Sequence, residues 1–322
     1  MTLLIGTDEA GYGPNLGPLV VAATIWRVAE YVGDDELYQR LENVVCRSPS
    51  ARELWRDQLP IADSKQLYKS GAGWGHLERA VLATLGVTGK PVDTWEQIWK
   101  AVDPGNPDAL PSLPWHSAFQ LGLPRDAAAA DVDHWQRRLR DELPAQGVEL
   151  VGLLARAVFP EEFNSQVMAL GSKGTLLSRV TLQLVRRSQQ AAQGESVLIR
   201  CDKHGGRSRY APLLADVFSK NRIEVVSEGR QRSLYRWGPS TERVEICFSQ
   251  RGETFLPTAL ASMAAKYLRE LAMLAFNHFW LRRVAQLRPT AGYPVDAKRF
   301  KAEIAVVQQQ LDIADDVLWR TR

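Results

Sequence analysis

Apolar and polar positions divide this chain into segments of different period. Residues 2–7 (with Leu3, Leu4 and Ile5) and 18–27 (Leu19 to Ile25) are short apolar runs separated by a stretch rich in glycine and proline. Such runs, bounded by turn residues, predict two strands paired antiparallel across the connecting loop. Residues 30–60 carry mixed charge with a helical look, 62–67 form a polar turn, and roughly 75–86 predict an amphipathic helix. Val148 to Phe159 predicts a strand and 174–192 a helix with Leu177, Val180 and Leu184 on one face. Val197-Leu198-Ile199 is a short buried strand and Val244 to Phe248 another. Pro257 opens a long helix in which Leu260, Ala264, Tyr267, Leu271 and Leu274 recur at helical spacing. Proline is tolerated there because a first-turn N–H has no partner to lose. The tail from about 289 is helical and polar. Strands come first and then alternate with helices, which predicts a mixed α/β sheet rather than an all-parallel one.

Residues 88–146 break this pattern. They hold seven of the seventeen prolines and four of the ten tryptophans, with no sustained strand period. An inserted subdomain anchored by Trp95, Trp99, Trp115 and Trp135 is expected. A chain of 322 residues can bury a sizeable core. The net charge of +3 does not by itself diagnose a nucleic-acid partner and permits one only if the cations cluster. Cys46, Cys201 and Cys247 are far apart without metal-finger spacing, which predicts free thiols in a reducing compartment. Acids at positions 8 and 9 interrupt any signal-peptide core, and no run is long enough to span a bilayer, so a cytoplasmic protein is expected.

The densest chemistry lies in Gly6 to Pro18, Gly-Thr-Asp-Glu-Ala-Gly-Tyr-Gly-Pro-Asn-Leu-Gly-Pro. Asp8 and Glu9 end an apolar strand, where ionised carboxyls are costly unless something pairs with them. A hard divalent cation is the usual partner for such oxygens. The glycines let the backbone approach a bulky polyanion. Metal-assisted chemistry on a phosphodiester is the reading these residues suggest.

The run Asp8 to Val21 closely resembles the opening motif of the type 2 ribonucleases H. Asp63-Ser64-Lys65-Gln66-Leu67 is similar to that family's next polar motif. Asn164 with the segment through Thr175, Leu176, Arg186 and Arg187 resembles a further block, and Val197 to Asp202 the strand carrying a third catalytic aspartate. Gly252 to Pro257, running into Ala261 to Lys266, resembles the loop and helix that bear a fourth acid. Ala291-Gly292-Tyr293-Pro294 resembles a Gly-Tyr turn used against substrate. The order of these pieces covers the chain except about 30–58 and 88–146.

This resemblance implies a ribonuclease-H-like mixed sheet flanked by helices. Residues 1–87 and 147–288 would form the catalytic domain, 88–146 the insertion and 289–322 a helical extension. It implies an endoribonuclease that hydrolyses the RNA strand of RNA–DNA hybrids or cuts a ribonucleotide-containing duplex. Asp8, Glu9, Asp202 and Glu253 would hold two Mg²⁺ or Mn²⁺ ions once substrate is bound. Paired cations of this kind stabilise the charge that builds on the attacking and leaving oxygens. Gly11, Tyr12, Gly13, Lys65, His204 and Tyr293 would contact substrate, and a monomer is expected. Two departures stand out: Tyr12 replaces the family's arginine between the glycines, and Glu253 stands where the type 2 enzymes have aspartate, as in the type 3 enzymes. An arginine makes forked phosphate contacts that a phenol cannot. The departures leave open a non-catalytic duplex-binding protein on the same fold, or a nuclease acting on structured DNA.

Overall fold

A computed structural model describes residues 1–31, 33–47, 57–68, 73–106, 109–110, 112–250 and 252–321, and of Glu253 the backbone alone. Strands β1 (Thr2–Ala10) and β2 (Leu19–Val28) pair antiparallel as expected, with Ile5 opposite Ile25. The chain then passes through α1 (Glu36–Arg40), the two-residue strands β3 (Val45–Cys46) and β4 (Leu59–Pro60), and α2 (Ser64–Leu67). Helices α3 (Gly75–Val87), α4 (Trp95–Val102) and α5 (Ala129–Ala145) follow, and β5 (Val148–Val158) adds antiparallel to β2. Helices α6 (Pro160–Leu170) and α7 (Lys173–Ser188) lead to β6 (Ser196–Asp202), which lies parallel to β1. Next come α8 (Ala211–Val217), β7 (Glu224–Glu228), β8 (Arg232–Trp237) and β9 (Val244–Ser249). The long helix α9 (Leu256–Leu281), then α10 (Pro294–Gln310) and α11 (Asp315–Leu318), complete the order. The main sheet reads β5-β2-β1-β6-β9-β8-β7 and is mixed, since β6 runs parallel to both β1 and β9. The expected mixed α/β sheet flanked by helices is the one observed.

The mostly apolar run of β2, broken by Thr24 and Arg27, follows from its position inside the sheet. Val20, Ala22 and Trp26 face a cluster built with α3 and α9, and Leu19, Val21, Ala23 and Ile25 face another built with α7 and α8. Alternate side chains leave opposite faces of a strand, so a strand covered on both sides has few polar positions to show. In β1, Leu3 and Ile5 join the α7 side, whereas Leu4 joins the α9 side. The even positions of β1, Asp8 among them, therefore look toward α9.

Several elements differ from the sequence reading, which named none of α8, β7 and β8 between Asp202 and Val244. The polar turn at 62–67 contains a short helix, because the Asp63 side chain accepts the Lys65 N–H at 3.0 Å and caps it. Residues 32 and 48–56 of the helical-looking stretch 30–60 lie outside the described residues, and among the described ones the helix is the five-residue α1. Helix α6 was not expected, although Pro160 in its first turn and Gly171, left-handed at φ +75, are ordinary start and stop signals. The four tryptophans of 88–146 are buried, and they share one apolar cluster with Phe276 and Trp280 of α9. Trp115 meets Phe276 edge-on at 5.0 Å. Among the described residues no helix is long and apolar enough to cross a membrane.

A buried acid ties this region to α9. Glu78 is fully buried and its carboxylate accepts the backbone N–H groups of Arg125 (2.9 Å), Asp126 (2.6 Å) and Ala127 (2.8 Å) and the Tyr267 hydroxyl (2.7 Å). Removing it leaves four donors without an acceptor, each costing about 1–3 kcal/mol. Glu78→Ala is expected to lower the urea midpoint strongly, by on the order of 4 kcal/mol of stability. Conservative Glu78→Gln, which keeps one acceptor oxygen, should cost less.

Candidate active site

The end of β1 is shaped by what packs on it. An added Cβ at Gly6 would lie 2.2 Å from both Pro257 C and Thr258 N, so the first turn of α9 rests directly on the strand backbone. That contact carries Ser262, one turn further along α9, to the Asp8 carboxyl, which it hydrogen-bonds. Ser262 Oγ also lies 3.1 Å from Ser64 Oγ, which draws the Asp63-to-Leu67 motif alongside. Lys65 is thereby close enough to Glu9 to stabilise its charge. Two motifs separated by more than fifty residues thus meet through one serine of α9.

Asp202 ends β6, beside β1 in the sheet, and its charge is felt at both Asp8 and Glu9. Burial pushes the Asp8 carboxyl well above the ordinary carboxylate range, and Asp202 adds to that push against the Ser262 hydrogen bond. Glu9 is raised as well, first by burial and then by the charges of Asp8 and Asp202. A Cβ on Gly252 would sit 3.3 Å from Asp202 N and Cα, so the turn Gly252–Thr254 packs its backbone against the end of β6. The Glu253 side chain, next in this turn, lies outside the described residues. Among the described residues, no group of three or more His, Cys, Asp or Glu is disposed to hold a metal ion. The donor set nonetheless suits a hard cation: Asp8, Glu9 and Asp202 offer oxygen ligands only, and burial with mutual repulsion raises the proton affinity of Asp8 and Glu9, Lys65 offsetting part of that rise at Glu9.

Beside these acids is a cleft of about 590 Å³ lined by Glu9, Gly11, Tyr12, Lys65 and Tyr293, together with Tyr68, Lys266, Arg269 and Glu270. Five of the residues singled out in the sequence therefore share one cavity. The Ala291-Gly292-Tyr293 turn reaches it because the Gly292 carbonyl accepts the N–H groups of Asn15 (2.8 Å) and Leu16 (3.3 Å). Gly292 itself, at φ +82, could carry no Cβ, which would fall 2.6 Å from Leu16 O. Tyr293 is 55 % exposed and free to meet a ligand. Tyr12 packs partly on the α7 side, with Lys173 Nζ 4.8 Å above its ring. Its phenol is held above the ordinary range by burial and by Glu9.

His204 is a correction. The sequence placed it against substrate, but the ring is only 4 % exposed, with Nδ1 2.9 Å from Ser178 Oγ and ring faces near Tyr210 and Phe248. Burial, and secondarily Arg207, lowers its pKa to about 3, so it stays neutral across physiological pH. It is a buried strut between β6 and α7. Among the cleft residues that the sequence reading gave no site role are Tyr68, Lys266, Arg269 and Glu270. A signal existed: Lys266, Arg269 and Glu270 are the only charged Lys, Arg, Asp or Glu residues in the 26-residue helix α9.

The two glycines flanking Tyr12 are not equivalent. Gly11 has φ +88, and a Cβ there would lie 2.5 Å from Arg269 Nε and Pro18 O, whereas Gly13 has open space. Gly11→Ala is expected to cost at least about 2 kcal/mol and Gly13→Ala less than about 1, measured by thermal unfolding.

No family model matches the sequence, and no curated protein matches it. Solved structures similar to this chain do exist. One is the RNase HII of Archaeoglobus fulgidus in complex with PCNA, at TM-score 0.43 and 14 % identity, covering 99 % of this chain and 94 % of that one. Another is ribonuclease H2 of Pyrococcus horikoshii OT3, at TM-score 0.44 and 14 % identity over 98 % and 92 % of the two chains. A third is Bst-RNase HIII with Mn²⁺, at TM-score 0.41 and 15 % identity over 99 % and 66 %.

Proposed function

We propose that this protein is a metal-dependent endoribonuclease acting on the RNA strand of RNA–DNA hybrids. The observation that carries the reading is the placement of Asp8, Glu9 and Asp202 in one another's field, beside a cleft lined by Gly11, Tyr12, Lys65 and Tyr293. Asp8, Glu9, Asp202 and Glu253 would hold Mg²⁺ or Mn²⁺. Bound there, such ions supply an activated water and stabilise the departing oxygen. The chain supplies the rest. Ser262 orients Asp8, and Lys65 offers a cation for a backbone phosphate. The Gly11–Tyr12–Gly13 backbone can lie close to a sugar and sense its 2′-hydroxyl, the group that separates RNA from DNA. Tyr293 offers an exposed ring for stacking.

The test is cleavage of three labelled duplexes in Mn²⁺ or Mg²⁺: a continuous hybrid, DNA with one ribonucleotide, and all-DNA. Cuts in the RNA strand that disappear with EDTA are the expected result. Absence of cleavage on every duplex, or equal cutting of all-DNA, would overturn the reading. Hybrid binding without turnover would instead favour a duplex-binding role.

A further inference from the structure

Arg320 is 1 % exposed and lies directly beneath the glycine-rich turn. Its Nη2 donates to the Gly11 carbonyl at 2.6 Å and to the Pro14 carbonyl. Its guanidinium sits 4.5 Å from the centre of the Phe163 ring. The neighbouring backbone is stitched to the same turn. Arg320 N–H donates to Asn15 O at 2.8 Å, Asn15 Nδ2 donates to Arg320 O at 3.1 Å, and Leu16 pairs with Trp319 in a single bridge. Asn164 locks the segment from α6, donating to Trp319 O (2.8 Å) and accepting the Thr321 N–H (2.7 Å).

This is a costly arrangement. Among the described residues Arg320 has no ion-pair partner, and its Nε and Nη1 have no hydrogen-bond partner. A buried cation met only by carbonyls and one aromatic face costs several kcal/mol that an apolar side chain of the same size would not. Two glycine-loop carbonyls are what the guanidinium holds, so the orientation of that loop is what the cost secures. In a trans peptide the N–H points opposite to the C=O. With the Gly11 carbonyl turned to Arg320, the Tyr12 N–H is turned away from it. Among the described residues no chain acceptor meets that N–H, and Gly11 and Tyr12 both line the cleft.

We propose that Arg320 is a positioning residue which fixes the Gly11–Tyr12 peptide so that the Tyr12 N–H is presented to the 2′-hydroxyl of a bound ribonucleotide. The segment 315–321 is then part of the substrate-reading apparatus. This rests on the hybrid-nuclease reading. It predicts that Arg320 governs discrimination between RNA and DNA more than overall rate.

Full-length wild type, Arg320→Met, Arg320→Ala and Asn164→Ala are compared by kcat and KM on the hybrid and by affinity for hybrid against all-DNA duplex. Thermal unfolding monitors folding. Arg320→Met and Asn164→Ala should each lower the hybrid-to-DNA affinity ratio about tenfold, the value of one positioned hydrogen bond, and should raise KM on the hybrid. The double variant should lose no more than the worse single one. Added guanidinium should restore the ratio in Arg320→Ala and leave Asn164→Ala unchanged. If the folded variants keep the wild-type ratio within twofold, or guanidinium raises the unfolding temperature without moving the ratio, Arg320 is only structural and the proposal is overturned while the nuclease reading stands. If wild type neither cuts nor prefers the hybrid, the nuclease reading fails and takes the proposal with it.

Discussion

Asp8→Asn is expected to abolish hybrid cleavage and, at pH 8 in EDTA, to make the protein more stable than wild type. Loss of activity follows from the proposed role. Asp8 sits between Ser262, Glu9 and Asp202, and an amide there cannot serve as an anionic oxygen ligand. A fall of at least about a thousandfold in kcat corresponds to ~4 kcal/mol of transition-state stabilisation. The gain in stability has a separate cause. Burial raises the folded-state pKa of Asp8 from the ordinary carboxylate value to about 7, so ionising it costs more in the folded than in the unfolded chain. That cost is absent below pH ~4, grows through the interval, and is complete above the raised value. Asparagine removes the charge and relieves Glu9 and Asp202 of a repulsive neighbour. The expected gain is on the order of 2 kcal/mol, a few degrees in unfolding temperature at pH 8, vanishing at pH 4. Mn²⁺ should stabilise wild type and leave Asp8→Asn nearly unmoved. A variant that is inactive and also less stable at pH 8 would show that the Asp8 charge is already compensated within the chain.

Gly6→Ala should be the most disruptive single-methyl change near the site. Its Cβ would enter the space of Pro257 and Thr258 backbone atoms at 2.2 Å, and neither can retreat. Thr24 Oγ1 donates to Pro257 O at 2.7 Å, and Thr258 Oγ1 donates to Arg200 O at 3.2 Å, so two strands hold this turn of α9 in place. Overpacking against side chains costs roughly 1–3 kcal/mol. Against anchored backbone the expected loss is at least about 4 kcal/mol, read as a fall in urea midpoint with unchanged slope or as insoluble protein. The consequence reaches the chemistry. Any variant that folds must lift α9 from β1 and withdraw Ser262 from Asp8, so its activity should fall even where it is soluble. Gly13→Ala, with nothing near its Cβ, is the matched control.

Much of the site is legible before folding because its parts are short and local. The Asp8-Glu9 pair at a strand end, the Gly11 turn, the polar motif around Lys65 and the Gly292-Tyr293 turn each carry their own signal in residue type and spacing. Their elements are also set locally: apolar runs for β1 and β2, Pro257 for the start of α9. What sequence cannot show is burial. His204 follows Asp202 by two residues and reads as an accessible loop imidazole. Folding turns it inward to Ser178 and Phe248, where desolvation keeps it neutral.

The converse holds for Arg269 and Arg320. On a sequence they are a helix charge and a tail charge, the kinds of residue ordinarily left in water. Both are nearly fully buried, because carbonyls of the glycine-rich turn (Leu16 for Arg269, Gly11 for Arg320) can be met by a long donor from elsewhere in the chain. Local sequence therefore determined which residues carry the acids, the turns and the flanking strands. The tertiary structure alone decided that α9 would press on Gly6 and join two motifs through Ser262. It alone decided that a guanidinium more than three hundred residues away would hold the Gly11 carbonyl. Local propensity sets backbone shape within a few residues. Close approach, desolvation and the satisfaction of buried carbonyls depend on which distant segments arrive, and only the packed chain settles that.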